Sequence, residues 1–272
     1  MSTPPVALTV AGSDSGGGAG IQADLRMFAA AGVFGTSAVT ALTAQNTVGV
    51  RGVHPVPAAF VVAQIEAVLD DLEVAAVKTG MLATAGIIGA LAELGARRRL
   101  PNLVVDPVMV ASSGARLLEA GAERLYLERL FPLARVVTPN LAEAEALLGG
   151  AIRTRAEQRE AAAALAGTGP EVVIVTGGHA VSDDPGVAVD VVASGGSVTE
   201  LRAPRIATSN THGSGCSFAA AVAAHLALGE DPLVAVEHAK HRVHRAIAGA
   251  ARWRLGAGHG PLDHLGWEQH QP

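Results

Sequence analysis

The 272-residue chain is 49% hydrophobic and only 3% aromatic, and its formal net charge is −5 at pH 7. A chain this apolar is not intrinsically disordered, and it predicts a core built from aliphatic side chains in one generous domain or two small ones. The acidic balance excludes the basic surface that binds nucleic acid or an anionic membrane, and no apolar run reaches the ~18 residues of a membrane helix.

Apolar runs and chain breakers predict strands that alternate with helices along the chain. In the first half we expect strands at 6–11, 36–42 and 74–79, helices at 21–31, 57–71 and 84–98, and a small β-arm at 47–56. In the second half we expect strands at 103–106, 136–138 and 172–176, an antiparallel pair at 186–193 and 198–203, and helices at 141–148, 155–166, 215–228 and 232–252. The Gly/His/Pro-rich tail from Gly256 is expected to be a surface extension.

This alternation predicts an α/β fold with a mostly parallel sheet and helices on both faces. No low-complexity linker divides the chain, so we expect one domain, with a core at 6–253 and a C-terminal extension at 254–272. Ligands of such sheets bind at the carboxyl ends of the strands. Candidate functional residues are therefore those that directly follow strands.

The most specific motif is His-Gly-Ser-Gly-Cys at 212–216, which opens an apolar helix. Free amide groups at a helix start, made approachable by two glycines, can bind an anion. Cys216 lies in the first turn, where the helix dipole is expected to lower the thiol pKa and to favour a thiolate. Such a thiolate could act as a base or a nucleophile. The alternative is a capped helix with an inert buried cysteine.

Three other groups of residues also follow predicted strands. The glycine-rich loop 12–20 could allow close approach of a ligand, or it could be a flexible connector. Asp106, Asn140 and Glu143 offer oxygen ligands suited to Mg²⁺, although the last two could instead form a helix capping box. Gln45 carries a carboxamide that could pair with an aminopyrimidine edge, or it could be an ordinary loop residue.

The lysines and the cysteine narrow the function further. The only lysines are Lys78 and Lys240, and neither follows a glycine, which excludes the Gly-Lys-Ser/Thr loop of P-loop nucleotide-binding proteins. Lys78 lies in an apolar strand and therefore needs a partner. Because Cys216 is the single cysteine and residues 1–5 resemble no secretory signal, we expect a reducing, cytoplasmic location.

Taken together, these motifs resemble the hydroxymethylpyrimidine/phosphomethylpyrimidine kinases of thiamine biosynthesis, in the ribokinase superfamily. The matching segments run in order over about residues 6–250, at 10–24, 40–47, 78–82, 106–109, 138–144 and 210–216. The resemblance implies a three-layer ribokinase-like sandwich with a β-arm over the active site, usually as a homodimer. It also implies ATP-dependent phosphorylation of 4-amino-5-hydroxymethyl-2-methylpyrimidine, and then of its monophosphate to the pyrophosphate.

The resemblance further implies roles for single residues. Cys216 stands where sugar kinases of the superfamily place an aspartate base. The anion hole would be formed by Gly213, Ser214 and Gly215. Gln45 would read the aminopyrimidine, in a pocket lined by Gly12, Ala19, Met81 and Val108. Mg²⁺ and phosphate would be held by Asp106, Asn140 and Glu143.

Two positions depart from the family pattern. Thr176, in Thr-Gly-Gly-His at 176–179, replaces a frequent lysine, so an arginine would have to supply the missing phosphate-facing cation. Ser214 replaces a threonine but keeps the hydroxyl.

A pyridoxal or pyridoxine kinase of the same superfamily is the closest rival function. Gln45 disfavours it, because pyridoxal lacks the amine that the carboxamide would pair with. The motifs also leave open a non-catalytic nucleotide- or metabolite-sensing protein, which the altered Thr176 position favours. A cysteine hydrolase is a third rival, although no accompanying His-Asp or His-Asn pair is recognisable in the sequence.

Overall fold

A computed structural model of the chain describes residues 3–111, 114–177 and 185–267. None of the helices in these ranges has both the length and the apolar character needed to cross a membrane. The strands of the described ranges are β1 (Val6–Asp14), β2 (Phe34–Gln45), β3 (Val50–Pro55), β4 (Val74–Thr79), β5 (Val104–Val105), β6 (Val136–Val137), β7 (Val172–Val175), β8 (Val187–Ser194) and β9 (Ser197–Pro204). The α-helices are α1 (Gly20–Ala30), α2 (Ala58–Leu69), α3 (Ala85–Ala96), α4 (Glu123–Leu125), α5 (Leu141–Leu148), α6 (Arg155–Ala166), α7 (Ser214–Ala227) and α8 (Pro232–Ala250).

These strands form one sheet in the order β3-β2-β1-β4-β5-β6-β7-β8-β9. The six strands from β2 to β7 in this order are parallel, whereas β3 at one edge and β8 and β9 at the other are antiparallel to their neighbours. The predicted β-arm is β3, which pairs with the end of β2. The carboxyl ends of the parallel strands lie at one edge of the sheet, which is where the candidate site residues follow them.

Two apolar clusters cover the two faces of the sheet, because successive side chains of a strand point to opposite faces. Leu8, Val105 and Val137 belong to the cluster that includes residues of α2, α3 and α6. Their strand neighbours Val104 and Val136 belong to the second cluster, which includes residues of α1, α7 and α8. The three-layer α/β sandwich with a mostly parallel sheet, which the sequence predicts, is therefore confirmed.

One helical segment is absent from the sequence-based prediction. After α4, a π-helical turn (Tyr126–Leu130) and a 3-10 turn (Phe131–Leu133) lead to β6. Tyr126, Leu130 and Phe131 are buried in the cluster on the α2 and α3 face. The segment gives no regular 3.6-residue apolar repeat because three kinds of helical turn follow one another within it.

Within its described residues, the tail from Gly256 is a surface extension only in part: residues 256–259 are exposed, whereas residues 260 and 262–264 are buried, and for this stretch the prediction is wrong. Leu262 is 2% exposed and packs in the cluster with α7 and α8. The amide of Asp263 donates to the carbonyl of Ala246 in α8. A Cβ atom at Gly260 would lie 2.1 Å from the Asn210 side chain, so this glycine allows close packing here. The Gly-rich composition thus reflects tight contact with the domain.

Candidate active site

Asp14 and His212 hold two glycine-rich loops together at the carboxyl edge of the sheet. The Asp14 carboxylate accepts hydrogen bonds from the amides of Gly16, Gly18 and Ala19 at 2.8 to 3.0 Å. His212 Nε2 lies 3.0 Å from the same carboxylate. Burial opposes ionisation of Asp14, but the bonds from His212 and from the amides outweigh it and lower the pKa of the carboxyl. The N-terminal loop is therefore a fixed structure rather than a flexible connector.

The start of α7 has the backbone geometry that an anion site requires. Gly213 is the N-cap and adopts the left-handed conformation (φ 80°, ψ 11°), and a Cβ atom there would lie 2.0 Å from the carbonyl oxygen of Gly18. The helix has no side-chain cap. Within the described part of the chain, the amides of Gly215 and Cys216 make no hydrogen bond, and both residues line a large cavity. Unsatisfied donors at a helix start favour an anion.

The prediction that Cys216 is a thiolate is wrong for the ligand-free protein. Burial raises the pKa of its thiol to about 12. The Lys78 ammonium and the Gly20 amide lower it, while Asp106 and Asp24 raise it further. Desolvation and two carboxylates therefore outweigh the helix dipole. The side chain is nevertheless only partly buried, and it reaches the cavity beside the unsatisfied amides of its own helix.

Lys78 has the buried partner that its apolar strand requires. Its ammonium lies 3.0 Å from Asp24 Oδ2 and 3.8 Å from Asp106 Oδ2, and Lys78 and Asp24 have no exposed side-chain surface. Burial lowers the pKa of Lys78, but the charge of Asp24 outweighs this effect and raises it above its usual value. Burial raises the pKa of Asp106 to about 6, against the lowering effect of Lys78. This ion pair places a fixed cation behind Cys216.

Of the three residues proposed to hold Mg²⁺, Asp106 is the best suited to bind the ion directly. Asp106 Oδ2 is buried and has no hydrogen-bond partner among the described residues, so it could serve as a ligand. Asn140 and Glu143 form a capping box at the start of α5, in which Asn140 Oδ1 and Glu143 Oε2 each accept a backbone amide at 2.9 Å. Burial and the nearby Asp106 raise the pKa of Glu143. Both residues line the cavity and fit a cation best through bridging waters.

One cavity of about 840 Å³ brings the predicted site residues together. Its lining includes all of them: Gly12, Ala19, Gln45, Met81, Asp106, Val108, Asn140, Glu143, Gly213, Ser214, Gly215 and Cys216. Gln45 Nε2 lies 3.3 Å from His212 Nε2, and its Oε1 accepts a bond of 3.2 Å from Thr43. A Cβ atom at Gly12 would lie 2.9 Å from the sulfur of Met81, so the wall of the cavity is tightly packed there.

Sequence reasoning missed the half of the cavity that lies beyond the anion site. This half combines apolar side chains with a basic group, and its lining includes Pro204, Ile206, Val243, Ile247, Asp190 and Lys240. Lys240 Nζ lies 2.7 Å from Asp190 Oδ2, and Asp190 Oδ1 accepts the amide of Gly177. The signal available in the sequence was Lys240 itself, one of only two lysines and placed on an otherwise apolar helix face.

Thr176 follows β7 and lines the cavity. Gly178 and His179 of the same motif lie outside the described residues. Among the described residues, the arginine and lysine side chains that line the cavity are those of Arg153, Arg205 and Lys240. Thr176 itself brings no positive charge to the cavity, but these three side chains do.

Comparison of the sequence with known proteins gives matches to one family of kinases. Residues 14–263 match the family model described as phosphomethylpyrimidine kinase. The chain is 46% identical to a hydroxymethylpyrimidine/phosphomethylpyrimidine kinase of Haemophilus influenzae, over 99% of this chain and 100% of that protein. It is 49% identical to the thiamine biosynthesis bifunctional protein ThiED of Geobacter sulfurreducens, over 95% of this chain but only 52% of that protein. The chain thus spans about half the length of the bifunctional relative.

Solved structures show the same fold. An ADP complex of Bacillus subtilis pyridoxal kinase superimposes with a TM-score of 0.88 at 36% identity, over 98% of this chain and 100% of that one. A phosphomethylpyrimidine kinase of Clostridium difficile superimposes with a TM-score of 0.78 at 37% identity, over 89% of this chain and 99% of that one. Similarity to both kinds of kinase agrees with a ribokinase-like fold.

Proposed function

The chain belongs to the phosphomethylpyrimidine kinase family, and from this premise we propose that it transfers the γ-phosphoryl group of ATP to 4-amino-5-hydroxymethyl-2-methylpyrimidine. A second transfer then converts the monophosphate to the pyrophosphate. The observation that carries the proposal is the single cavity that joins Gln45, the glycine-rich N-terminal loop, Cys216 and the unsatisfied amides of α7.

The chemistry of the cavity walls suggests where each substrate lies. The pyrimidine ring lies against Met81 and Val108, with its amine and ring nitrogen paired to the Gln45 carboxamide. The adenine lies in the apolar half, near Ile206, Val243 and Ile247. The γ-phosphoryl group is then between the two halves, at the amides of Gly215 and Cys216. This arrangement points the hydroxymethyl group of the pyrimidine at the transferred phosphorus.

Phosphoryl transfer is mainly a matter of positioning and of stabilising charge. In the proposed step, the hydroxymethyl oxygen forms a bond to the γ-phosphorus as the bond from that phosphorus to the ADP oxygen breaks. The hydroxyl proton passes to the sulfur of Cys216. Because the thiol is protonated in the ligand-free protein, this role requires the ionised form to be stabilised in the substrate complex. The Lys78 ammonium, which lowers the thiol pKa, supplies a fixed charge for this purpose.

Mg²⁺ would be held by the phosphates of ATP and by waters that bridge to Asn140 and Glu143, with Asp106 as a direct ligand. When bound, the ion would neutralise charge on the phosphate oxygens. Arg153, Arg205 and Lys240 line the same cavity and supply the cationic charge that Thr176 lacks. The amides of α7 would stabilise charge that develops on the transferred group.

The test is ADP release in the presence of ATP, Mg²⁺ and the hydroxymethylpyrimidine, measured for the wild type, Cys216→Ala and Cys216→Ser. We expect turnover by the wild type and a loss of about 10²-fold or more in both variants, because a general base contributes about 10² to 10⁴ in rate. Pyrimidine affinity should stay within about threefold, as expected for a group that acts mainly in the transition state. An inactive wild type would overturn the proposed function, and full activity of Cys216→Ala would overturn the base role alone.

Pyridoxal phosphorylation is a second candidate, favoured by the similarity of the whole fold to pyridoxal kinases. A complex of the Staphylococcus aureus pyridoxal kinase with an ATP analogue and pyridoxal superimposes with a TM-score of 0.86 at 35% identity. Both substrates are hydroxymethyl heteroaromatics that could enter the same cavity. The same ADP-release assay with pyridoxal in place of the pyrimidine decides between them, and we expect the higher kcat/KM for the pyrimidine because of Gln45.

The proposal includes a homodimer formed through the β2–β3 arm, in the reducing cytoplasm that the single free cysteine favours. Large apolar side chains are exposed on and beside the arm: Leu42 is 51% exposed, Val53 38% and Phe60 62%. Such a patch suits burial against a second copy of the chain. We expect light scattering to give a dimer for the wild type and for Leu228→Glu, which changes an exposed residue at the end of α7, but a monomer for Val53→Glu. A monomeric wild type would overturn this part of the proposal.

A further inference from the structure

The C-terminal segment 258–264 touches the anion site on both sides of Gly213. Before this glycine, the amide of His212 donates to the carbonyl of Gly260 at 3.0 Å, and His212 forms a parallel bridge with Pro261. After it, the hydroxyl of Ser217 lies 2.7 Å from His264 Nε2. Ser217 is fully buried and His264 is 9% exposed, so the hydrogen bond between them lies inside the protein. The segment therefore braces the loop whose geometry sets the anion site.

The contact with Ser217 continues to the backbone of the anion site itself. Gly213 O accepts two hydrogen bonds from Ser217, one from its amide at 2.9 Å and one from its hydroxyl at 2.8 Å. A serine hydroxyl has one proton, and Gly213 O can only accept. With that proton on the bond to Gly213 O, we assign the neutral imidazole the tautomer whose Nε2–H donates to Ser217 Oγ. The hydrogen bonds thus run in one direction, from His264 through Ser217 to Gly213.

These hydrogen bonds restrain Gly213, whose backbone conformation other residues adopt only at a cost. Gly213 holds the left-handed conformation that turns the chain into α7, and it lies against the backbone of Gly18. The Gly213 carbonyl shares a peptide plane with the amide of Ser214, the first residue of α7. Rotation of this plane would change the direction of the first turn and so of the amides of Gly215 and Cys216 that follow it. Small displacements at such a position are costly, since misplacement of about 1 Å can reduce a rate about 10²-fold.

We propose that His264 is a positioning residue for phosphoryl transfer, which acts through Ser217 to fix the Gly213 carbonyl and so the amides of the anion site. The inference rests on the proposed kinase function and adds to it a residue from the C-terminal segment. His264 does not touch the substrates. Its effect should therefore appear in the transfer step and not in pyrimidine binding.

The test is a double-mutant cycle on kcat with Ser217→Ala, His264→Ala and the combined variant. We expect each single change to lower kcat about 10-fold to 100-fold. The combined variant should be no slower than the slower single variant, because residues that act through one path are not additive. His264→Gln keeps a donor amide and should recover most of the rate. His241→Ala removes an exposed histidine of α8 and should leave kcat unchanged.

Several outcomes would overturn the inference. They are an unchanged kcat in folded His264→Ala, additive losses in the cycle, or a loss confined to pyrimidine KM. If His264→Ala does not fold, Ser217→Ala and His264→Gln still test the path. If the wild type phosphorylates no pyrimidine, the proposed function fails. The affinity for a non-hydrolysable ATP analogue then tests the contact from His264 through Ser217 to Gly213 separately. We expect weaker binding in Ser217→Ala, and unchanged binding would contradict the inference.

Discussion

His212 Nε2 lies 3.0 Å from Asp14 Oδ2, although the two residues are 198 positions apart in the chain. This contact joins the loop after the first strand to the loop before α7. Because the amides of Gly16, Gly18 and Ala19 point at the same carboxylate, Asp14 organises both walls of the cavity.

Replacing Asp14 with alanine should therefore destabilise the domain. The change leaves three amides and a buried imidazole without their acceptor, and we expect the free energy of unfolding to fall by about 2 to 4 kcal/mol. Urea denaturation measures this value. Asp71→Ala, at an exposed position, is the control and should change stability by less than about 0.5 kcal/mol. Equal stability of the two variants would contradict the role given to Asp14.

Lys78→Met should also be strongly destabilising. It removes one member of a fully buried ion pair, and the uncompensated Asp24 charge costs about 3 to 5 kcal/mol. The double change Lys78→Met with Asp24→Leu replaces both charges by apolar groups and should recover at least half of that loss, because buried pairs often exchange for apolar groups at little cost. Unfolding by urea gives both values. Additive losses would show that the two residues do not act as a pair.

Gln45→Met should weaken pyrimidine binding and leave the fold intact. The change leaves the amine and ring nitrogen of the substrate unpaired, which corresponds to about 1 to 3 kcal/mol, or a roughly 5-fold to 150-fold higher Kd. Titration calorimetry measures the affinity. Pyridoxal serves as the matched ligand, because it lacks the amine and should lose little affinity. Unchanged pyrimidine binding would exclude the assigned contact.

His264 should make folding stability depend on pH. Burial, together with the nearby Arg26, lowers the pKa of this imidazole from 6.5 to about 4. The unfolded chain therefore binds a proton between pH 6.5 and 4 that the folded chain does not bind, so stability present above pH 6.5 is lost as the pH falls toward 4. The shift corresponds to about 3 kcal/mol.

This pH effect is measured as the difference between two proteins, since other groups titrate over the same range. The stability of the wild type minus that of His264→Gln should fall by up to about 3 kcal/mol between pH 7 and pH 4. The same difference taken with Leu228→Gln, which changes an exposed residue that does not titrate, should stay flat. A flat difference for His264→Gln would mean that the imidazole titrates normally in the folded protein.

Local signals explain how much of the fold the sequence predicts. The strand at 74–79 and the helices at 141–148 and 155–166 have the predicted bounds, and both helices begin at capping boxes that are visible as residue types three positions apart. The segment 123–133 was missed because its α, π and 3-10 turns share no single period. Every site residue that was predicted from the sequence motifs lines the same cavity.

The errors concern interactions between distant parts of the chain. The thiol pKa of Cys216 depends on burial and on carboxylates contributed by α1 and by the loop after β5, and only the dipole of its own helix is visible locally. The composition of the tail predicts an extension, yet residues 262–264 are buried and Leu262 packs in the cluster with α7 and α8. Asp190 and the apolar half of the cavity come from elements without any recognisable motif. Such features follow from tertiary packing, which residue spacing does not encode.

The protonated state of Cys216 also bears on how the protein withstands oxidants. A neutral sulfhydryl reacts slowly with peroxides and with alkylating reagents, because the ionised sulfur is the reactive form. The resting protein thus keeps its single thiol unreactive. If the substrates ionise that sulfur, an alkylating reagent such as iodoacetamide should modify it faster in their presence, unless they cover it. The rate of mass gain at this single position would then report directly on the assembly of the reactive complex.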